Sequence, residues 1–92
     1  MLSAINGNYP NPFNPETQIS FQIAKDSHVS MNVYNIKGQL VKSLVNENMK
    51  SGSHTITWHG KDNSGRTASS GVYFFRLSNN GVSKVHKCTL MK

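Results

Sequence analysis

The chain has 92 residues, with a hydrophobic fraction of 36% and a charged fraction of 15%. So short a chain buries roughly 60–65% of the surface its unfolded form exposes, enough for one modest core and too little for a roomy internal active site. The net charge of +6 rests on ten basic residues scattered along the whole length, only two of them arginine, and no aromatic–basic signature of RNA recognition accompanies them. No nucleic-acid partner is therefore expected; a weak affinity for anionic glycans is the most that dispersed charge of this kind suggests.

No apolar run approaches the ~18 residues that a membrane-spanning helix needs, so no membrane span is expected. No basic stretch followed by a long apolar run opens the chain, so a signal peptide is not visible. Residues 1–7 read as a stub of linker or an expression remnant, residues 8–92 as one domain, and the whole as a fragment of a larger exported parent. Cys88 is the single cysteine, which excludes an intramolecular disulfide.

All three prolines fall within Asn8-Tyr9-Pro10-Asn11-Pro12-Phe13-Asn14-Pro15. Each ring fixes φ near −65° and removes a backbone donor, so this is a stiff, kinked lead-in and not a central strand. Asn11 and Asn14 can bond nearby backbone as turn residues do. Next, Thr17–Ile23 alternates polar and apolar, the pattern of a half-buried strand. After a turn at Ala24–Ser27, His28–Asn35 alternates again with Val29, Met31 and Val33 on one face.

Gln39–Val45 is ambiguous, because Leu40, Val41, Leu44 and Val45 also fit helical spacing. Its short length, bounded by Gly38 and the polar Asn46-Glu47-Asn48, favours a strand. Ser53–Trp58 turns Ile56 and Trp58 inward, and Gly60–Gly65 and Ser69–Gly71 read as loop tips. Val72–Leu77 is the most aromatic strand and should be central, with Tyr73, Phe75 and Leu77 on the core face. Asn79-Asn80-Gly81 predicts a hairpin turn before a last strand, Val82 to Met91.

About seven strands with turns every 8–12 residues predict an all-β fold, an immunoglobulin-like antiparallel β-sandwich. Without a disulfide, Trp58, Phe21, Tyr73 and Phe75 must supply its core, each contributing about 2–3 kcal/mol when buried.

The opening pattern N-Y-P-N-P-F-N-P-x-T-x-I-x-F resembles that of the C-terminal sorting domains of the Bacteroidetes type IX secretion system (type A), and is similar to the related immunoglobulin-like domain of flagellar hook-capping proteins. Val33–Val41 resembles the V-Y-N-x-x-G-Q-x-V of these families. Ser70–Leu77 resembles S-G-V-Y-F-Y-R-L, and Lys87–Lys92 the terminal K-M-V-L-L-K, with Cys88 and Thr89 in place of Met and Val. The resemblance implies a non-catalytic sorting domain that carries a larger secreted protein through the periplasm and outer membrane to the cell surface. Its implied partners are the outer-membrane secretion machinery, a sortase-like peptidase and an N-terminal parent domain.

Candidate chemistry is sparse. His54 and His59 differ by an odd number and would face opposite sides of a strand, and no His or Cys pair has zinc spacing, so no metal is expected. Asp62-Asn63-Ser64-Gly65 lacks the alternating acidic ligands of a calcium loop and reads as a turn. No G-x-S-x-G and no paired carboxylates are placed for catalysis, so neither an enzyme nor a cofactor is expected. Tyr9, Phe13 and Tyr34 could form a sugar-stacking platform, but the prolines favour Tyr9 and Phe13 folding back as a plug over the sandwich end. Two other readings stay open: a structural accessory module, or a carbohydrate-binding module. For sorting, the expected recognition residues are Lys87, Leu90, Met91 and Lys92. Leu90 would anchor the strand while the lysines present charge, on a terminal edge open to strand addition. The immediate end of the chain after the last apolar residues fits such a signal.

Overall fold

The alternation in the sequence becomes pleated strand nearly throughout. The structure, a computed structural model, describes residues 4–13 and 15–91. Its strands are β1 (Ala4–Tyr9), β2 (Thr17–Ile23), β3 (Ser27–Asn35), β4 (Leu40–Met49), β5 (Gly52–Trp58), β6 (Gly71–Asn79) and β7 (Val82–Leu90). Among the described residues no helix forms. The strands make a three-stranded sheet, β1-β2-β5, and a four-stranded sheet, β4-β3-β6-β7. Every pairing between these strands is antiparallel. The immunoglobulin-like sandwich is therefore the fold, with β6 an inner strand as its aromatic run requires.

The core lies between the two inner faces. Ile19, Phe21 and Ile23 of β2 meet Val29, Met31 and Val33 of β3 and Phe75 and Leu77 of β6, all almost wholly buried. Ile56 is only half-buried, because β5 is an edge strand. Trp58, the last residue of β5, closes one end. Its ring centroid lies 5.1 Å from that of Tyr73, 5.9 Å from Phe75 and 5.4 Å from Phe13. The indole N–H donates to the Lys61 carbonyl at 2.9 Å, so the polar handle is satisfied without leaving the core.

Three elements differ from the sequence reading. Residues 4–7, assigned there to a linker, begin β1, whose pairing with β2 runs from Ala4 opposite Gln22 to Tyr9 opposite Gln18. The segment has little apolar alternation, so nothing local announces it; the free edge of β2 recruits it through backbone bonds. Second, β4 continues through Asn46-Glu47-Asn48 to Met49, because β3 offers partners as far as Ser27. Third, β4 carries register shifts that leave Leu44 and Val41 unpaired. Each such bulge adds a residue and rotates the side-chain pattern. Two bulges convert alternation into the Leu40-Val41, Leu44-Val45 spacing that resembles a helix, and they let Val41, Leu44 and Val45 all join the core.

The β6–β7 hairpin turns at Asn80 and Gly81, with φ of 51° and 77°. Both central residues are left-handed, the geometry that matches strand twist and that Asn-Gly supplies readily.

Trp58→Ala should lower unfolding free energy by about 3–5 kcal/mol, a large share of the stability of a domain this size. Urea denaturation followed by far-ultraviolet circular dichroism measures it. A midpoint equal to that of the wild type would show that Trp58 does not hold the sheets together.

Candidate recognition site

The expected recognition segment lies on β7, an edge strand of the four-stranded sheet. Alternation sends Cys88 and Leu90 into the core, while Lys87 is exposed and Thr89 half-exposed on the outer face. Leu90 is 2% exposed and Met91 55%. Leu90 thus anchors the strand, and Lys87 and Met91 are reachable from solvent. Lys92, the fourth expected residue, lies outside the described residues.

The proline-rich lead-in binds this same end of β7. The Phe13 N–H donates to the Thr89 carbonyl at 3.0 Å, and the Met91 N–H donates to the Phe13 carbonyl at 2.9 Å. The Thr89 N–H donates to Asn11 Oδ1 at 3.1 Å. Phe13 therefore forms a one-residue parallel bridge to Leu90. Its side chain is buried against Trp58. Two further contacts hold the lead-in: Thr17 Oγ1 donates to the Pro10 carbonyl at 2.8 Å, and Asn8 Nδ2 donates to Thr17 Oγ1 at 3.2 Å. Gly60 makes room for it, with φ of +71° and a Cβ position only 2.8 Å from the Pro15 carbonyl oxygen. The Tyr9–Pro10 and Asn11–Pro12 peptide bonds are cis.

These bonds correct one expectation. The terminal backbone around Thr89–Met91 is not an open edge, because Asn11 and Phe13 occupy it. By strand alternation the outward amides and carbonyls that remain are those of Ser83, Val85 and Lys87, which have no backbone partner beyond β6 among the described residues. The plug is also narrower than expected: Phe13 folds back, whereas Tyr9 is 83% exposed. With Phe13 buried and Tyr34 half-buried, the sugar-stacking platform of Tyr9, Phe13 and Tyr34 does not assemble. Asn11 was legible only as a turn residue; its partner lies 78 positions away, beyond the reach of any local rule.

Cys88 packs as a small apolar residue. It is 1% exposed, and burial pushes its thiol up to about 12. Asp62 acts as a turn-former. Its Oδ1 accepts from the Ser64 hydroxyl at 2.7 Å and from the backbone N–H groups of Arg66 and Ser64, and these bonds hold its carboxyl below the ordinary value. The next residue, Asn63, caps the β4 edge: its N–H donates to the Val41 carbonyl and its Oδ1 accepts from the Ser43 N–H.

The histidines are dispersed. His28 meets Asn46, His54 the Lys50 carbonyl, and His86 Asn8. His59 pairs with Glu16 at 2.8 Å on the surface, a contact the sequence did not signal. Among the described residues no three His, Cys, Asp or Glu side chains are grouped to hold a metal ion.

Phe13→Ala should destabilise the domain by about 3–5 kcal/mol and raise amide exchange at Met91, measured by denaturation and hydrogen exchange. Cys88 should resist a thiol reagent at pH 8 until urea unfolds the chain. Its folded pKa is raised, so the associated stability is present below pH ~9 and lost as pH rises from there towards 12. Asp62 runs the opposite way: its folded pKa is lowered, so its contribution is present above pH ~4 and lost as the medium is acidified. Asp62→Asn should flatten that acid limb of the thermal-melting profile.

Comparison with known proteins places this arrangement. No curated protein sequence matches the chain. Among solved structures, it is similar to dimeric latent PorU from Porphyromonas gingivalis, with a TM-score of 0.77 and 19% identity over 98% of this chain and 9% of that one. It is similar to PorZ, a surface component of the type IX secretion system of the same organism, with a TM-score of 0.65 and 18% identity over 96% of this chain and 11% of that one. Likeness at that identity concerns the fold. FlgD from P. aeruginosa aligns with a TM-score of 0.65 and 29% identity, over 80% of this chain and 58% of that one. The chain thus spans about a tenth of PorU and PorZ and 58% of FlgD. The family model of the FlgD Ig-like domain matches residues 7–82, from within β1 to the start of β7. The chain belongs to the FlgD Ig-like domain family.

Proposed function

We propose that the domain is a non-catalytic sorting signal, which directs a larger secreted protein through the periplasm, across the outer membrane and to the cell surface. The observation that carries this reading is the build of β7. Leu90 locks the strand in the core, and Lys87 and Met91 stay reachable at its exposed face. A recognition tag needs that combination, because a reader must grip a segment that folding holds in one place. The resemblance of residues 8–92 to sorting domains supports it, as does likeness of fold to PorZ, a type IX secretion component. The partners on this reading are the outer-membrane machinery, a sortase-like peptidase and the N-terminal parent domain. Strand addition would use the open Ser83–Lys87 edge, next to the end that Phe13 covers.

A structural accessory module is the second reading. It is favoured by the family match, which covers residues 7–82 and so takes in the sandwich without most of β7.

Fusing the domain to a periplasmic reporter in a host with the secretion system should bring the reporter to the cell surface. Deleting Lys87–Lys92 should trap it in the periplasm. That deletion also removes the buried Cys88 and Leu90, so the decisive variant is Lys87→Glu/Met91→Glu, which alters exposed side chains. Retention of a folded reporter, judged by protease resistance, supports sorting through β7. Failure of the unaltered fusion to reach the surface would assign the domain to the accessory class, and undiminished delivery by the double variant would show that Lys87 and Met91 are not the residues read.

A further inference from the structure

One end of the outer face of the four-stranded sheet gathers apolar side chains. The pairing register sets Leu40, Tyr34, Phe74 and Lys87 in one row across β4, β3, β6 and β7. The next row brings Arg76 of β6 beside Val85 of β7. Side chains directly opposite on neighbouring strands share a face. Tyr34, Ile36, Phe74, Arg76 and Val85 line one shallow depression of about 280 Å³. Ile36 is 75% exposed, Val85 61% and Leu40 50%. Scattered apolar residues on a surface are ordinary, whereas a contiguous set around a depression marks a contact site.

The charge around this face has one sign. Arg76 and Lys87 are exposed, and neither has a carboxylate partner among the described residues. None of the four acids lines this depression, and Asp62, which adjoins Leu40 at the β4 margin, is committed to its own turn. Glu16 pairs with His59, and Asp26 accepts from the Ser51 N–H. Glu47 sits opposite Val29, on the core side of the sheet.

We propose that this face docks an acidic protein surface that carries apolar side chains. The charge argues against a second copy of the chain, since two such faces would set Arg76 and Lys87 against their own kind. The rings on this face, Tyr34 and Phe74, are half-buried, whereas the aliphatic Ile36, Leu40 and Val85 are exposed; that surface suits the side chains of a protein better than a glycan, which stacks on an open ring. The face shares Val85 and Lys87 with the sorting reading, but Ile36 and Arg76 lie outside β7, so variants at those two residues test this inference apart from it.

The test is a titration of the nitrogen-15-labelled domain with a synthetic peptide of alternating Glu and Phe or Leu. The controls are its Lys-for-Glu counterpart and a chondroitin sulfate hexasaccharide. Amide shifts should be confined to the strands and turn around Tyr34, Ile36, Phe74, Arg76 and Val85. Arg76→Glu and Ile36→Ser should each weaken binding about tenfold or more while leaving the melting temperature unchanged, and added salt should weaken it as well. Equal binding of the basic peptide, shifts on another surface, or no shifts at all would overturn the proposal. So would binding of the hexasaccharide alone at this face, or sedimentation showing self-association that Arg76→Glu abolishes.

Discussion

The contact on which this sandwich depends is that of Trp58 with the opposite sheet. A chain with one cysteine cannot link its sheets covalently, so the aromatic cluster of Trp58, Tyr73, Phe75 and Phe13 must do so by packing alone. The indole reaches from the end of β5 to two side chains of β6, and its N–H fastens the following turn through Lys61. Tyr73 is held in turn by its hydroxyl donating to the Ser69 carbonyl. Each large ring buried here contributes about 2–3 kcal/mol, of the same order as a small domain's net stability.

That cluster also decides what happens at the last strand. Once Trp58 offers a surface for Phe13, the proline segment is drawn alongside β7, and its backbone takes the Thr89 and Met91 groups. The other edge of the same sheet is treated alike, by Asn63 bonding to Val41 and Ser43 of β4. Exposed edges invite unwanted pairing, and both are blunted by loop residues that belong to the core-closing turns. The stretch left open is the outer half of β7, from Ser83 to Lys87. Stability and accessibility are thereby separated along a single strand: the end near Leu90 is locked, and the end near Val85 is available.

Most of the architecture was readable from residue order. Alternation in Thr17–Ile23, His28–Asn35 and Val72–Leu77 determined those strands and their inward faces, because side-chain period is a local property of the pleat. Asn80-Gly81 determined its turn through the φ values those residues tolerate. Leu90 and Cys88 were legible as core residues from the same alternation.

What tertiary structure alone decided is everything that depends on a distant partner. β1 exists because β2 has a free edge, and β4 runs to Met49 because β3 continues beside it. The bulges at Val41 and Leu44 disguise a strand as a helical spacing, and only the pairing register reveals them. Tyr9 and Phe13 look equivalent in sequence, yet one is exposed and the other buried, since only Phe13 lies within reach of Trp58. Asn11 bonds to Thr89 rather than to its own turn. Local chemistry states what a residue can do; which distant atoms come within hydrogen-bonding or packing distance is set by closure of the two sheets.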